Sequence, residues 1–269
     1  MSWDANTYDS AAVPQQIAGE ELIRLLKIKD GDNVLDLGCG PGTLTAQLAM
    51  LTPSGNVFGI DSSQSMIEKA RRKTEAMGLT NTHFLLADIM ELNYESHFDV
   101  IFLNSVATWV SEQQKLFSMI RTALKANGNV GAQTASAGGF DSEFMFDVLP
   151  KVLQLQKFSD AITCSISQGW TPPSGGRLLS TDHFENLFAE TGFSKSEIVT
   201  KEFVFFAKNT KEVISSMRPA VDAVFSEVLT GGLVTEFWDE VEKGVELHLG
   251  KTSDFEITRK RVFALGTKI

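Results

Sequence analysis

Three glycines at alternate positions, Gly38, Gly40 and Gly42, directly follow an apolar run in the stretch NVLDLGCGPGTLT. A glycine-rich turn between a strand and a helix lets the backbone approach a ligand, so the pattern predicts a nucleotide-binding loop. A phosphate-binding P-loop is excluded, because Thr43 and Leu44 follow Gly42 where that motif needs Lys and then Ser or Thr. A dinucleotide fingerprint is disfavoured, because the spacing is G-x-G-x-G and Thr43 stands where the third glycine belongs.

Three aspartates accompany this loop. Asp36 precedes it, Asp61 ends the next apolar run and Asp88 ends the third. An acid at the end of the second strand is where such folds hold a ribose diol. Because parallel strands end at one edge of a sheet, we expect the three carboxylates to line one crevice. That edge repels a pyrophosphate and favours a cationic ligand with adenine and ribose, a chemistry that fits the sulfonium S-adenosylmethionine.

Alternating strand-like and helix-like patterns from residue 33 to about 136 position these groups. Such alternation predicts right-handed βαβ units and a doubly wound α/β fold, with a mostly parallel sheet covered on both faces. The helix after the loop is expected to bury Leu51, the next helix to bury Met77, and Ser111 to open a third with a capping box. The predicted strands are 33–38, 56–61, 82–88, 98–104, 129–135, 196–207 and 261–269.

Two segments interrupt this alternation and predict helical insertions that meet as a lid over the substrate. These insertions are 138–180 and 209–255. We expect the core to consist of residues 33–137, 181–208 and 256–269. We expect residues 1–32 to form an N-terminal helical segment that covers the cofactor site.

The composition narrows the functional classes. The chain has 269 residues, 43% of them apolar, and a formal net charge of −10. Its only dense basic runs, 69–73 and 258–261, are short and are expected to be solvated faces, so nucleic acid is not an expected partner. There is no apolar run that could span a bilayer and no secretory pattern at the N-terminus. With Cys39 inside the loop and Cys164 far away, a reducing cytoplasm is expected, as is the absence of a metal site.

Residues 33–136 resemble the class I S-adenosylmethionine-dependent methyltransferases, and VLDLGCGPG is the most specific motif. The resemblance implies a Rossmann-like sheet of seven strands whose last strand is antiparallel. It also implies that the glycines meet the methionine part of the cofactor, Asp61 the ribose, Met66 and Asp88 the adenine, and Asn104 the methionine carboxylate. The cofactor residues that we predict are Asp36, Gly38, Cys39, Gly40, Asp61, Ser62, Met66, Ala87, Asp88, Ile89, Asn104, Ser105 and Val106.

Within that class the chain is most similar to small-molecule methyltransferases of the trans-aconitate type. The parallels include GIDSSQSMI after the second strand, Gln133 in the fifth and an Arg-Pro pair at Arg218–Pro219. Aromatic side chains are favoured in pocket walls, and arginine binds carboxylates through two hydrogen bonds. The substrate-binding candidates are Trp3, Tyr8, Trp109, Trp170, Arg177, Arg218 and Arg261.

No general base stands out among the four histidines, and Tyr8 and His248 are the only catalytic candidates. A base is needed only when the acceptor carries a proton at neutral pH. The expected function is therefore methyl transfer from S-adenosylmethionine to a small molecule, with a carboxylate as the favoured acceptor and S-adenosylhomocysteine as product. Three alternatives stay open: N- or C-methylation, a methyltransferase-like fold that binds the sulfonium without transfer, and an NAD-dependent oxidoreductase.

Overall fold

The computed structural model describes residues 13–171 and 178–269 of the chain, and these residues form a single seven-stranded sheet. The strands are β1 (Asn33–Leu37), β2 (Asn56–Asp61), β3 (Thr82–Leu86), β4 (Phe98–Asn104), β5 (Leu124–Ala135), β6 (Ser194–Asn209) and β7 (Ser253–Thr267). Their order across the sheet is β3-β2-β1-β4-β5-β7-β6. Strands β1 to β5 are parallel, whereas β7 is antiparallel to both β5 and β6. The predicted α/β class and the antiparallel last strand are confirmed.

Helices cover both faces of this sheet. They are α1 (Val13–Leu26), α2 (Thr43–Leu51), α3 (Gln64–Ala76), α4 (Gln113–Ala123), α5 (Phe140–Glu143), α6 (Leu149–Leu153), α7 (Gln156–Ser167), α8 (Thr181–Thr191), α9 (Thr210–Ser215), α10 (Arg218–Phe225) and α11 (Gly232–Leu249). Alternate strand residues point to opposite faces, so Val34 packs with α1 and α2, whereas Leu35 packs with α4 and α8. None of the described helices is both long and apolar enough to cross a membrane.

Three local predictions are wrong at the ends of elements. Leu51 and Met77 are about half exposed, because α2 ends at Leu51 and α3 ends one residue before Met77. The capping box at Ser111 does not form, since Glu112 is the N-cap of α4 and no side chain caps that helix. Gln113, the first residue of α4, is instead buried and donates to the carbonyl oxygen of Ala107 at 2.8 Å.

The two segments predicted as insertions share one hydrophobic core. Phe144 and Phe158 from the first segment pack in the same buried cluster as Phe237 and Trp238 from the second. Phe158 and Phe237 meet edge to face with ring centroids 5.4 Å apart. Phe255 of β7 belongs to the same cluster, so the paired segments rest on the end of the sheet.

The last strand is longer than predicted, and it corrects the interpretation of the basic run 258–261. β7 begins at Ser253, and its residues Arg259 and Arg261 are each only 3% exposed. They share one face of the strand, whereas Lys260 points to the other and pairs with Glu202 at 2.9 Å. The run is therefore not a solvated face, and two of its three basic residues are buried.

Candidate active site

The glycine loop connects β1 to α2 in a backbone conformation that is unfavourable for residues with a Cβ. Gly38, Gly40 and Gly42 have φ angles of +71°, +53° and +78°, in the left-handed region that glycine adopts without strain. A Cβ at Gly38 would lie 2.4 Å from Cγ2 of Val106, and one at Gly42 would lie 2.7 Å from Cβ of Ala70. The glycines are thus required both by the turn and by the close approach of Val106, just after β4, and of α3.

Asp61, the last residue of β2, holds this loop in place. Its two carboxylate oxygens accept the backbone N–H groups of Gly40 and Ser63, each at 2.9 Å. Burial raises the pKa of this carboxyl, while hydrogen bonds from the Ser63, Gly40 and Ser62 amides act in the opposite direction. Each carboxylate oxygen has two lone pairs, so Asp61 can accept further hydrogen bonds from a ligand.

Asp88 follows β3 and caps a short 3₁₀ turn, Ile89–Glu91, by accepting the backbone N–H of Met90 at 2.8 Å. Its neighbours Ala87 and Ile89 are half-buried and pack against the core beneath the turn. Asp61 and Asp88 therefore lie at the ends of adjacent parallel strands, as predicted for one crevice.

Asp36, in the middle of the buried strand β1, is 2% exposed and accepts a hydrogen bond from Thr45 Oγ1 at 2.7 Å. Burial raises the pKa of Asp36 to about 7, against the opposing effect of the Thr45 hydrogen bond. Burial also raises the pKa of the Cys39 thiol. Both residues line a small cavity of about 50 Å³ on the α2 side of the loop.

The raised pKa of Asp36 predicts a pH-dependent stability. Below about pH 4, near the ordinary pKa of 3.8, the carboxyl is protonated in the folded and unfolded chains alike. Between pH 4 and 7 only the unfolded chain releases the proton, so the free energy of unfolding falls as the pH rises. The loss is on the order of 1.4 kcal/mol per pH unit at most and is complete above pH 7.

Asp36→Asn removes this titration. We expect urea unfolding to show that Asp36→Asn gains stability over the wild type by a few kcal/mol between pH 4 and pH 8, all of it developing below about pH 7. A stability difference that stays constant with pH would contradict the assignment of the raised pKa to Asp36.

A cavity of about 410 Å³ opens at the carboxyl edge of the sheet, between the glycine loop and the second insertion. Most of the predicted cofactor residues line this cavity. Of the others, Asp36 and Cys39 line the smaller cavity, and Ala87 packs against the hydrophobic core. The lining of the larger cavity is Gln15, Gly38, Gly40, Asp61, Ser62, Met66, Asp88, Ile89, Asn104, Ser105, Val106, Trp109, Val110, Ser216, Pro219 and Ala220.

A buried amide organises the floor of this cavity at the end of β4. Gln133 of β5 is fully buried and donates to Ser105 Oγ at 2.9 Å and to Asn104 Oδ1. Asn104 in turn donates to the backbone carbonyl of Gln15 at 3.2 Å. Ser105 has a φ of +59°, a strained value for a residue with a side chain. The network therefore holds a strained turn facing the cavity.

The structure separates the substrate candidates. Trp109 lines the cavity, whereas Trp170 packs on Phe225 with ring centroids 6.1 Å apart. Arg218 lies over the Trp238 ring and pairs with Asp222 at 3.3 Å, so it does not line the cavity. Trp3, Tyr8 and Arg177 lie outside the described residues.

Arg261 and His248 are also absent from the cavity lining. Arg261 is buried, with its Nη2 3.3 Å from Asp141 Oδ2. His248 contacts Glu143, Nε2 to Oε2, at 3.2 Å. Across 13–171 and 178–269, no three His, Cys, Asp or Glu side chains converge on a metal-binding position.

Sequence reasoning missed Gln15 and Ser216, which line the cavity although they lie about 200 residues apart in the chain. Neither carries a local signal, because contact with the crevice depends on how α1 and the second insertion fold back. Pro219 also lines the cavity, and the sequence did single it out as half of the Arg-Pro pair. Its neighbour Arg218 does not line the cavity and pairs with Asp222 instead.

A family model described as a methyltransferase domain matches residues 28–192, more than half of the chain. The chain belongs to the methyltransferase domain family. This membership confirms the predicted class I methyltransferase resemblance and the enzyme class, and it supports S-adenosylmethionine as the cofactor of the site.

Individual relatives of this methyltransferase domain agree with that assignment. Trans-aconitate 2-methyltransferase of Escherichia coli O157:H7 is 33% identical over 131 residues, which is 49% of this chain and 50% of that protein. The chain thus spans about half the length of the curated relatives it matches.

Two solved structures have the same fold. The YcgJ protein of Bacillus subtilis has a TM-score of 0.64 at 15% identity, covering 94% of this chain and 98% of that one. Phosphoethanolamine N-methyltransferase 2 of Haemonchus contortus, solved with S-adenosylhomocysteine, has a TM-score of 0.58 at 17% identity, covering 94% and 52%. At these identities the likeness concerns the fold.

Proposed function

We propose that this protein transfers a methyl group from S-adenosylmethionine to a carboxylate of a small molecule. One observation carries the carboxylate: among the described residues that line the cavity, only Asp61 and Asp88 have an acidic or basic side chain. Both already accept backbone N–H groups, Asp61 from Gly40 and Asp88 from Met90. An acceptor that is ionised at neutral pH needs no base, and a carboxylate meets that condition.

The residues of the cavity fit the methyl donor. Gly38 lines the cavity, and a Cβ there would collide with Val106, so this part of the lining needs a glycine whose bare backbone faces the ligand. Asp61 and Asp88 place negative charge in the lining, which favours a cation, and Met66 and Ile89 supply apolar surface for a purine. Asp61 would hold the ribose, Asp88 and Ile89 the adenine, and Asn104 and Ser105 the methionine end.

When bound, S-adenosylmethionine supplies a methyl group on a positively charged sulfur, which a carboxylate oxygen displaces to give a methyl ester and S-adenosylhomocysteine. The protein's part in this reaction is orientation and the exclusion of water. Gln133 fixes Asn104 and Ser105 from below, and Trp109 and Val110 shield the site. Orientation of this kind lowers a barrier by roughly 7–11 kcal/mol without covalent catalysis.

The curated relatives support the same acceptor class, because their name, trans-aconitate 2-methyltransferase, describes methylation of a carboxylic acid. The predicted cytoplasmic location, the small-molecule partner and the closure of the two insertions as a lid belong to this proposal. The shared core of those insertions supports the lid, since it lets them move as one body.

Transfer of a radiolabelled methyl group to a panel of acids, amines and phenols, trans-aconitate included, tests the proposal. We expect labelled product only with carboxylic acids, and we expect mild alkali to release the label as volatile methanol, as an ester does. Asp61→Ala is the control, because it removes a predicted cofactor contact and should abolish labelling under the same conditions.

Other outcomes identify the rival functions. An alkali-stable product would mean N- or C-methylation, and tight binding of S-adenosylmethionine without any product would mean a non-transferring fold. Calorimetry with NAD is expected to show no binding, and a measurable affinity for NAD would favour the oxidoreductase.

A further inference from the structure

Strand β6 forms one edge of the sheet, and it pairs with β7 and with no other strand in the described ranges. From Glu197 to Ala207 its register with β7 is unbroken, and that stretch contains no proline. Its one lysine, Lys201, is paired with Glu21 of α1. Proteins protect an open edge with prolines, bulges and free lysines. The edge of β6 is therefore a regular and unprotected template for a further strand.

The backbone groups of alternate residues of β6 face this open edge. The carbonyl oxygen of Lys260 accepts the N–H of Ser136, which follows β5, so the backbone of Lys260 faces β5. Glu202 is opposite Lys260 in the register, so its own backbone groups point away from β7. The N–H of Lys208 agrees, because it donates to Glu212 Oε2 at 2.8 Å instead of to β7. The even-numbered residues of this stretch therefore offer their N–H and C=O groups to a further strand.

The side chains of the same residues form a patch with an apolar centre and opposite charges at its ends. Val204 and Phe206 are 50% and 80% exposed. Glu202 precedes them and Lys208 follows them, and both are exposed as well. Alternate residues of a strand share one face, so these four side chains lie in one row. Along the strand the row is acidic, apolar, apolar and basic.

This row is complementary to itself when a second copy runs antiparallel to it. With Phe205 of the two copies on a two-fold axis, Glu202 lies opposite Lys208 of the second copy. In the same register Val204 lies opposite Phe206 of the second copy, and the axis repeats both contacts. Opposite charges, and a β-branched residue beside an aromatic one, are favourable cross-strand pairs. A shift of two residues would place Glu202 opposite Phe206, or Val204 opposite Lys208, so the side chains specify one register.

We propose that β6 pairs antiparallel with β6 of a second copy of this chain over residues 202–208, which joins the two sheets into one. A second copy is the occupant that the charges favour, because the complement of this row is the row itself read in the opposite direction. The inference does not depend on the acceptor of the methyl group. β6 ends where the second insertion begins, so the interface lies beside the segment that brings Ser216 into the cavity.

Sedimentation velocity on the full chain tests the dimer. We expect wild-type protein at about 100 µM to have twice the mass of one chain. Phe206→Lys should raise the dissociation constant about tenfold or more, because it places two charges in the apolar centre of the interface. Leu247→Lys is the matched control, since Leu247 is 85% exposed on α11, outside β6. Its dissociation constant should stay within about twofold of the wild-type value.

Charge reversal tests the register. Lys208→Glu places a glutamate opposite Glu202 at both ends of the interface, and we expect the dissociation constant to rise about tenfold or more. Glu202→Lys should have a similar effect, because it places two lysines opposite each other. The double variant restores opposite charges in each pair, so it should dimerise more tightly than either single variant. A substitution that acted only on the stability of the chain would not be rescued in this way.

Hydrogen exchange locates the interface, with protection of the Val204 and Phe206 amides expected in the wild type and lost in Phe206→Lys. Far-UV circular dichroism and urea unfolding report that each variant is folded. A wild-type chain that is monomeric at about 100 µM would overturn the proposal, even with these amides protected, because the chain's own residues would then cover the edge. So would a dimer that both Phe206→Lys and Lys208→Glu leave unchanged, because it would use another surface.

Discussion

Asp61→Ala is expected to weaken the binding of S-adenosylmethionine by about tenfold or more, the largest effect of any single polar substitution in the site. The change removes a carboxylate that accepts the backbone amides of Gly40 and Ser63 and that we assign to the ribose hydroxyls. Both the loop and the ligand therefore lose a charged acceptor in a partly buried place. Calorimetry with S-adenosylmethionine measures the loss directly.

Asp30→Ala separates binding from stability in this experiment. Asp30 also accepts a backbone amide, that of Ser54 at 2.8 Å, in an exposed turn outside the cavity. We expect Asp30→Ala to lower stability slightly and to leave the cofactor affinity unchanged. A folded Asp61→Ala protein with wild-type affinity would remove Asp61 from the cofactor site.

Gly38→Ala is expected to be strongly destabilising although it leaves every polar group of the loop intact. The new Cβ would lie 2.4 Å from Cγ2 of Val106, and the β-branched Val106 has little rotamer freedom with which to move away. Overpacking of this kind costs about 1–3 kcal/mol, in addition to about 1–2 kcal/mol for placing alanine at a left-handed φ. Because Val106 lines the cavity, cofactor affinity should also fall by about tenfold or more.

Gly78→Ala is the matched control, because Gly78 has nearly the same φ, +69° against +71°, with no atom within 4 Å of the added Cβ. It should show the backbone strain of about 1–2 kcal/mol alone and no change in affinity. Urea unfolding and calorimetry on both variants give the comparison. Equal destabilisation by the two substitutions would show that the contact with Val106 does not restrict the loop.

The cofactor half of the site could be predicted because its determinants are local. The glycines follow a buried strand directly, and Asp61 and Asp88 each end an apolar run. Parallel strands bring such ends to one edge, so the order along the chain already implies the neighbourhood in space. The cavity lining accordingly contains ten of the thirteen predicted cofactor residues, although their contacts with the cofactor stay predictions.

The contacts of the buried arginines on β7 could not be predicted in the same way. Arg261 was a candidate because of its residue type, but its burial depends on Asp141, which lies far away in the chain. Arg259 and Ser216 were not candidates, and their contact joins the last strand to the second insertion. Alternation along a strand assigns residues to two faces, but it does not say which face another element will cover.

By itself the sequence determined the α/β class, the glycine loop that lines the cavity and the acidic edge beside it. These follow from periodicity, from the backbone freedom of glycine and from the shared edge of parallel strands. Only the tertiary structure decided that Arg259 and Arg261 are buried with a single carboxylate and that Ser216, which accepts a hydrogen bond from Arg259, lines the cavity. The reason is that burial and charge pairing arise between distant segments, and no local pattern encodes which segments will meet.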